Sequence, residues 1–513
     1  MHGSSFDFGS LFSEFHFSYS DFENAYHKLQ FLYVGSDGPT KDDFIRCLGL
    51  ITTVEHEYFH YRHLISSSVG YLLFLNKQMS AVAKGAFLRS LSPLQATSLF
   101  LSPNSDVIQF AKNSSLGVDS QSHLVNFFTE EIKSEVLTKF SGKAISAFYE
   151  VREPLIYDHP LSASDETGIP ILVNISPPSN STFTTYRSSA SLFEIIEGLA
   201  LWKEYGYVSQ LLWANARHWF SEVIESWLNS SYGHTRYRRA VDLIANATGC
   251  NMSMALPGVL LDLALCTQAF SQRRRQWEEV HPSLRLARIL SVSDRIPKSL
   301  KTVDNIDSVS CEYYEAVEAI VANALGWPKT REVLQETIET VSQRVRFGRR
   351  NESSKEIDVL GRFYDRRFLF GIQCRLSESP SLFLFPSTSP NSQVVGYLTI
   401  PPASMFTDRI SRNRLDQESL EEFLFYLNDV VLTLFLEGTI NSNLLWEYSA
   451  PKFETARRIF GKRATAFPDG QIPSLETEAL SFEDFISERL NVDYKAVQRI
   501  RRKKSRNIQG RTL

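Results

Sequence analysis

With 513 residues, an apolar share of 43%, 36 Phe and 20 Tyr, the chain has ample material for large buried cores and is no disordered scaffold. Its 54 Lys and Arg against 58 Asp and Glu leave a net charge of −4, which excludes whole-surface attraction to nucleic acid or to an anionic membrane, so any such contact must come from a local patch. Five scattered cysteines (Cys47, Cys250, Cys266, Cys311, Cys374) form no CxxC pair, so they encode neither a disulfide framework nor a cysteine-based zinc site.

The opening MHGSSFDFGS has no basic segment leading into an apolar one, so no secretory signal is expected and a reducing, cytoplasmic location fits the cysteines. Phe15, Phe17 and Tyr19 alternate with His16 and Ser18, the period of a half-buried strand. Leu29 to Val34 is a further apolar run in this sheet-like opening, closed by the turn Gly35-Ser36-Asp37-Gly38-Pro39. Thr40 then offers an N-cap, and Asp42 and Asp43 fall in the first turn, where negative charge suits the helix dipole. Phe44, Leu48, Ile51 and Glu55 share one face of the helix that follows, and His56-Glu57-Tyr58-Phe59-His60 lies inside it.

Residues 78–155 read as further helices, and Asp158 to Gly168 and Asn174 to Ser191 as long surface loops rich in Pro, Ser, Asn and Thr. Helices resume near Ser191 and run to about Ser342. Within them Met252 to Phe270 is the most apolar stretch, but Pro257 and Asp262 interrupt it, so it is expected as a buried helix and no membrane span is expected. Strands are expected at Phe368 to Cys374, Leu382 to Phe385 and Val394 to Ile400, then an amphipathic helix from Glu418 to Glu437 and Arg-rich helical segments to the end. The fold class is therefore mainly α with small β segments. It divides into N-terminal strands joining the core over 1–38, a helical metal-binding core over 39–350, an α+β region over 351–455 and a basic helical segment over 456–513.

The HExxH pentapeptide carries the chemistry. Residues four apart on a helix lie one turn above each other, so His56 and His60 can aim two imidazole nitrogens at one cation. Glu57 beside them can hold and deprotonate a water rather than ligate. Zinc suits this work because it brings the pKa of a bound water toward about 7 and polarises a scissile carbonyl. His63 shares the face, yet the seven residues from His56 rise about 10 Å along a helix, while a zinc–nitrogen bond is about 2 Å. His63 is therefore expected to be packed or to support a ligand.

A third ligand is sought in Ser191-Leu-Phe-Glu194-Ile-Ile-Glu197-Gly198-Leu-Ala200-Leu-Trp202. Ser191 and Glu194 make an S-x-x-E capping box, which gives Glu194 a structural task at the helix start. Glu197 sits one turn in, beside Gly198 and Ala200, small residues that let a second helix come close. A carboxylate in so apolar a helix is costly to bury without a partner, and a cation is a good one.

An HExxH helix followed by a helix bearing Glu-Gly-x-Ala resembles the zincin metallopeptidases of the glutamate-ligand type, the gluzincins. The resemblance implies a zincin-like core with His56, His60 and Glu197 as zinc ligands and Glu57 as general base. It also implies strands ahead of the first motif whose edge would hold an extended peptide substrate. His281-Pro282, with Arg285 and Arg288 after it, is a fainter echo of the same group. The resemblance covers the motifs rather than the chain, because the stretch between His60 and Glu197 is longer than the family's usual one and requires an inserted subdomain. Tyr205, Tyr207 and His218 are the candidates for stabilising an oxyanion.

Near the C-terminus, Phe482 to Leu490, a turn at Asn491-Val492-Asp493 and a second helix with Ala496, Val497 and Ile500 inward have the spacing of a helix-turn-helix. Arg501, Arg502, Lys503 and Lys504 head a basic run that could contact the phosphates of a nucleic acid. A helical hairpin with a solvated basic tail is the commoner structure for such a pattern. The function expected is a zinc-dependent metallopeptidase that hydrolyses peptide bonds through a metal-activated water. The rivals are a regulatory protein with a degenerate core and a partner-binding tail, and a carboxylate-bridged di-iron protein using Glu57-x-x-His60 and Glu194-x-x-Glu197.

Overall fold

The computed structural model describes residues 4–7, 12–31, 40–74, 192–215, 235–270, 275–280, 282–304, 310–348, 367–377, 403–407 and 410–412, with short pieces at 163–164, 170–171, 175–176, 190, 221–225 and 227. Of the residues described, 79% are helical and 4% lie in strands, so the region is mainly α. The chain divides into two compact units, and the described residues fall in the first, which comprises Met1–Phe74, Leu124–Glu352 and Gly361–Arg414. The expected helix at Glu418 to Glu437 and the tail bearing Arg501, Arg502, Lys503 and Lys504 lie outside the described residues, as do Leu382 to Phe385 and Val394 to Ile400.

Four short strands make the main sheet, in the order β1 (Ser4–Asp7), β2 (Phe12–Phe15), β7 (Ala403–Met405) and β8 (Ile410–Arg412). The β1–β2 and β7–β8 pairs are antiparallel, and β2 runs parallel to β7. Part of the segment expected as a separate α+β region thus pairs with the start of the chain. Aromatic packing explains why. Phe15 stacks on Phe406 at 4.7 Å, and Phe17, Tyr19 and Phe22 crowd round the same ring, while the Thr407 amide donates to the Phe17 carbonyl at 3.1 Å. Phe15 and Phe17 are both buried with His16 exposed between them, but the strand expected to run through them, β2, ends at Phe15.

Tyr19, however, opens a helix. Helix α1 (Tyr19–Phe31) takes the place of the sheet expected there, because Ser18 caps it by accepting from the Asp21 amide at 3.0 Å. Its buried Ala25 and Leu29 sit four apart, a helical spacing that the aromatic alternation before them concealed. Two further two-stranded pieces, β3 (Ala163–Ser164) with β4 (Pro170–Ile171) and β5 (Ile175–Ser176) with β6 (Arg275–Gln276), lie partly within stretches read as plain loops.

Helix α2 (Lys41–Ile65) starts where expected. Thr40 accepts from the Asp43 amide at 3.2 Å, and Asp42 and Asp43 occupy the first turn. It is buried along most of its length and packs on α1 and on α3 (Leu192–Asn215). Helix α3 is buried most closely in its first half, with Ile195, Leu199, Ala200, Leu201 and Trp202 closed to solvent. A Cβ added to Gly198 would meet Ala240 of α4 (Thr235–Thr248) at 3.1 Å, so the small residue marks a close helix approach, as its place in the sequence predicts.

The apolar stretch after α4 becomes α5 (Leu256–Leu265), every residue of which is buried. Trp202 fixes it. Its indole N–H donates to the Met254 carbonyl at 2.9 Å, and its ring fills the space where a Cβ on Gly258 would come to 2.4 Å. Among the described residues no helix is long and apolar enough to cross a membrane. Helices α6 (Pro282–Leu290), α7 (Cys311–Leu325) and α8 (Thr330–Gly348) follow.

Residues 367–377 form a further helix, α9, where a strand was expected at Phe368 to Cys374. Phe368, Ile372 and Arg375 are buried at spacings of four and three, a helical stripe whose short apolar run imitates a strand.

Candidate metal centre

Helices α2 and α3 bring His56, His60 and Glu197 together. Each offers one ligand-type atom, the three atoms lie within 4.8 Å of one another, and all three residues are buried. His56 Nε2 is 3.0 Å from Glu197 Oε2 and 3.1 Å from His60 Nε2, and His60 Nε2 is 3.4 Å from the same carboxylate oxygen. Ligand atoms about 2 Å from one tetrahedral ion are about 3.3 Å apart. The cluster already has that spacing, and two imidazoles with a carboxylate are a donor set that zinc accepts. This buried group could hold a metal ion.

Both nitrogens of the His56 ring are engaged. Its Nδ1 is 3.1 Å from Oε2 of Glu204, which lies seven residues beyond Glu197 on α3 and is therefore two turns along the same face. Burial works against a charge on this ring, but the hydrogen bonds to Glu197 and Glu204 outweigh it and hold its pKa well above the usual histidine range. Burial likewise opposes ionisation of Glu197, and the His60 and His56 rings override it, keeping its carboxyl well below the usual range. A carboxylate and an imidazole thus face each other where a cation would sit. Ring orientation by a carboxylate on the far nitrogen is the common support of a metal-binding histidine.

Glu57 does not join the three. Its Oε1 accepts from the Ser4 hydroxyl of β1 at 2.6 Å, and burial pushes its pKa up, opposed by the two histidines and by Ser4. Phe6, two residues along β1, brings its ring within 6.1 Å of the His60 ring. Glu194 lies 3.8 Å from Arg239 of α4, and its expected cap partner Ser191 lies outside the described residues. Among the described residues the candidate metal group holds Glu197 and not Glu194, so it does not include the second carboxylate of a Glu194-x-x-Glu197 di-iron arrangement.

His63 faces a different partner. Its Nε2 is 2.8 Å from Asp262 Oδ1 of α5. Asp262 also accepts from the Tyr314 hydroxyl of α7 at 2.7 Å and from Arg375 of α9. Burial opposes the charge on Asp262, but Arg375, His63 and Tyr314 outweigh it and set its pKa at about 2. Of the oxyanion candidates, Tyr207 sits among Glu55, Tyr26 and Arg62, and His218 lies outside the described residues. Tyr237 of α4, unremarked in the sequence, has its ring 6.5 Å from that of His56.

Sequence reasoning also passed over Glu204 and Ser4. The seven-residue step from Glu197 to Glu204 was a usable signal, since it repeats one helix face. Nothing local marked Ser4. Arg285, in the fainter family echo, is a structural residue. Its guanidinium donates to the carbonyls of Leu263, Ala264 and Glu279 and lies 4.3 Å over the Trp327 ring.

No family model, curated protein or solved structure matches this chain.

Proposed function

We propose that the chain is a zinc-dependent metallopeptidase of zincin type, with His56, His60 and Glu197 as ligands and Glu57 as general base. The observation that carries this reading is the convergence of three buried donor atoms from two helices at 3.0 to 3.4 Å, next to a buried carboxylate that stays out of the cluster. Zinc bound there would supply a Lewis acid for the scissile carbonyl and lower the pKa of water. Glu57, one residue from a ligand but held aside by Ser4, takes the proton from the attacking water and returns it to the leaving amine. Glu204 holds the His56 ring in the orientation that turns Nε2 inward. Strand β1 lies at one end of the sheet and beside the motif, the place where an extended peptide would add as a further strand. The basic tail as a nucleic-acid contact is a separate proposal, carried by its composition alone.

Metal analysis and peptide hydrolysis test the reading together. Purified full-length protein should hold about one zinc per chain by the ligand count of such sites, and should cleave members of a mixed peptide library followed by mass spectrometry. Glu57→Gln should keep the zinc and lose the cleavage. Zinc lost as completely in Glu57→Gln as in His56→Ala would overturn the assignment of roles, and iron in place of zinc would overturn the class.

A further inference from the structure

Strand β1 and helix α2 fit each other by period. Alternate residues of a strand share a face, so Ser4 and Phe6 point the same way. Residues three apart on a helix share a face, so Glu57 and His60 do too. Ser4 meets Glu57 at 2.6 Å and Phe6 meets His60 at 6.1 Å between rings, so the strand runs along the helix in the same chain direction. Pairing with β2 fixes the register, Ser4 opposite Phe15 and Phe6 opposite Ser13. A slip of one residue would turn Ser4 and Phe6 away from the helix together. The contact spans 53 residues of sequence, and Glu57 is only 6% exposed. A buried carboxylate with two oxygens and one fixed donor has a defined orientation. Ser4 donates to Oε1, the one oxygen of Glu57 with a hydrogen bond among the described residues.

On the metallopeptidase reading above, we infer that Ser4 is a positioning residue for the general base and that β1 is a built part of the active site rather than a cover upon it. Ser4 fixes the Glu57 carboxylate by donating to one oxygen, and Phe6 walls the ring of His60. The hydroxyl acts through Glu57 alone, so its effect must vanish when Glu57 can no longer act as an acceptor of a proton.

Cobalt(II) in place of zinc gives a visible spectrum that reports both loading and ligand exchange, and acetohydroxamate is a suitable probe because it chelates the metal while presenting a proton to a neighbouring carboxylate. Titrations of the cobalt-loaded full chain should show Ser4→Ala binding cobalt like the unsubstituted protein but acetohydroxamate about tenfold more weakly, the scale of losing an orienting hydrogen bond at a metal site. Ser4→Thr, which keeps a hydroxyl on a strand-forming residue, should restore the affinity. In a Glu57→Gln background Ser4→Ala should change nothing, which is the coupling that separates positioning from packing. Equal weakening in both backgrounds, no weakening, or tighter binding in Ser4→Ala would each overturn the inference, the last by making β1 a cover. Failure of the unsubstituted chain to take up cobalt would instead remove the metallopeptidase reading and this inference with it.

Discussion

Helix α2 carries two buried histidine centres one turn apart, and their partners set them apart chemically. Around His56 and His60 stand Glu197 and Glu204, and the charges acting most strongly on Glu197 are those of the two imidazoles themselves. Around His63 stands Asp262, whose negative charge is answered first by the Arg375 guanidinium and then by His63 and Tyr314. The second centre is balanced by the protein's own permanent cation. The first has the imidazoles of His56 and His60 as the partners of its Glu197 carboxylate, a place that a metal ion could take. A buried permanent ion pair locks helices together, whereas a buried carboxylate set against two imidazole nitrogens is a group that could hold a metal ion.

Substitutions at the two centres should therefore separate metal binding from folding. The largest effect expected is at the first. If the chain binds zinc as proposed, saturating zinc should raise its Tm, and His56→Ala or His60→Ala should lower zinc affinity by at least about a thousandfold, on the order of 4 kcal/mol, and abolish that rise. Competition with a zinc-sensitive chelating dye measures the first and calorimetry the second. An unchanged zinc-dependent Tm in either variant would place the metal elsewhere.

Asp262→Asn should do the reverse. It leaves Arg375 buried without its counter-charge and should cost about 3 to 4 kcal/mol in urea unfolding, the usual scale for breaking a buried pair. Zinc binding per folded molecule should be unaltered. A loss below about 1 kcal/mol would mean that the pair is not the lock described here.

Acid sharpens the same contrast. Asp262 has a pKa of about 2 in the folded chain against 3.8 ordinarily. A folded value below the unfolded one means that its stabilisation is complete above about pH 4 and is lost as pH falls toward 2, amounting to about 2 kcal/mol. Unfolding of the unsubstituted protein and of Asp262→Asn, compared across that window, isolates the contribution. Parallel pH profiles would refute it.

The smallest effect expected is at Glu194. Its 3.8 Å approach to Arg239 and its place in the first turn of α3 give it a stabilising role of about 1 kcal/mol, with zinc affinity unchanged in Glu194→Ala. Weaker zinc binding in that variant would blur the distinction between Glu194 and Glu197.

Features with a local cause were legible in the sequence. The start of α2 could be placed because Thr40 caps it through an amide three residues away, and the two histidines could be placed on one face because four residues make about one turn. Glu197 was legible for the same kind of reason, as a carboxylate beside small residues in an apolar helix, and so was the burial of α5. Short apolar runs were not legible. Tyr19 and Phe368 to Cys374 sit where strand and helix patterns coincide over a few residues, and packing chose the helix in both places.

Tertiary structure alone decided the rest. Ser4 reaches Glu57 only because β1 pairs in register with β2, Phe406 returns to the rings of Phe15 and Phe17 only because β7 joins that sheet, and Asp262 meets His63 and Arg375 only when three distant helices close on one point. The sequence by itself determined which donor atoms could lie on one helix face, since that is set by the pitch of the backbone. Which other segments would bring their charges and hydroxyls to those atoms is set by burial summed over the whole core, and no local pattern encodes it.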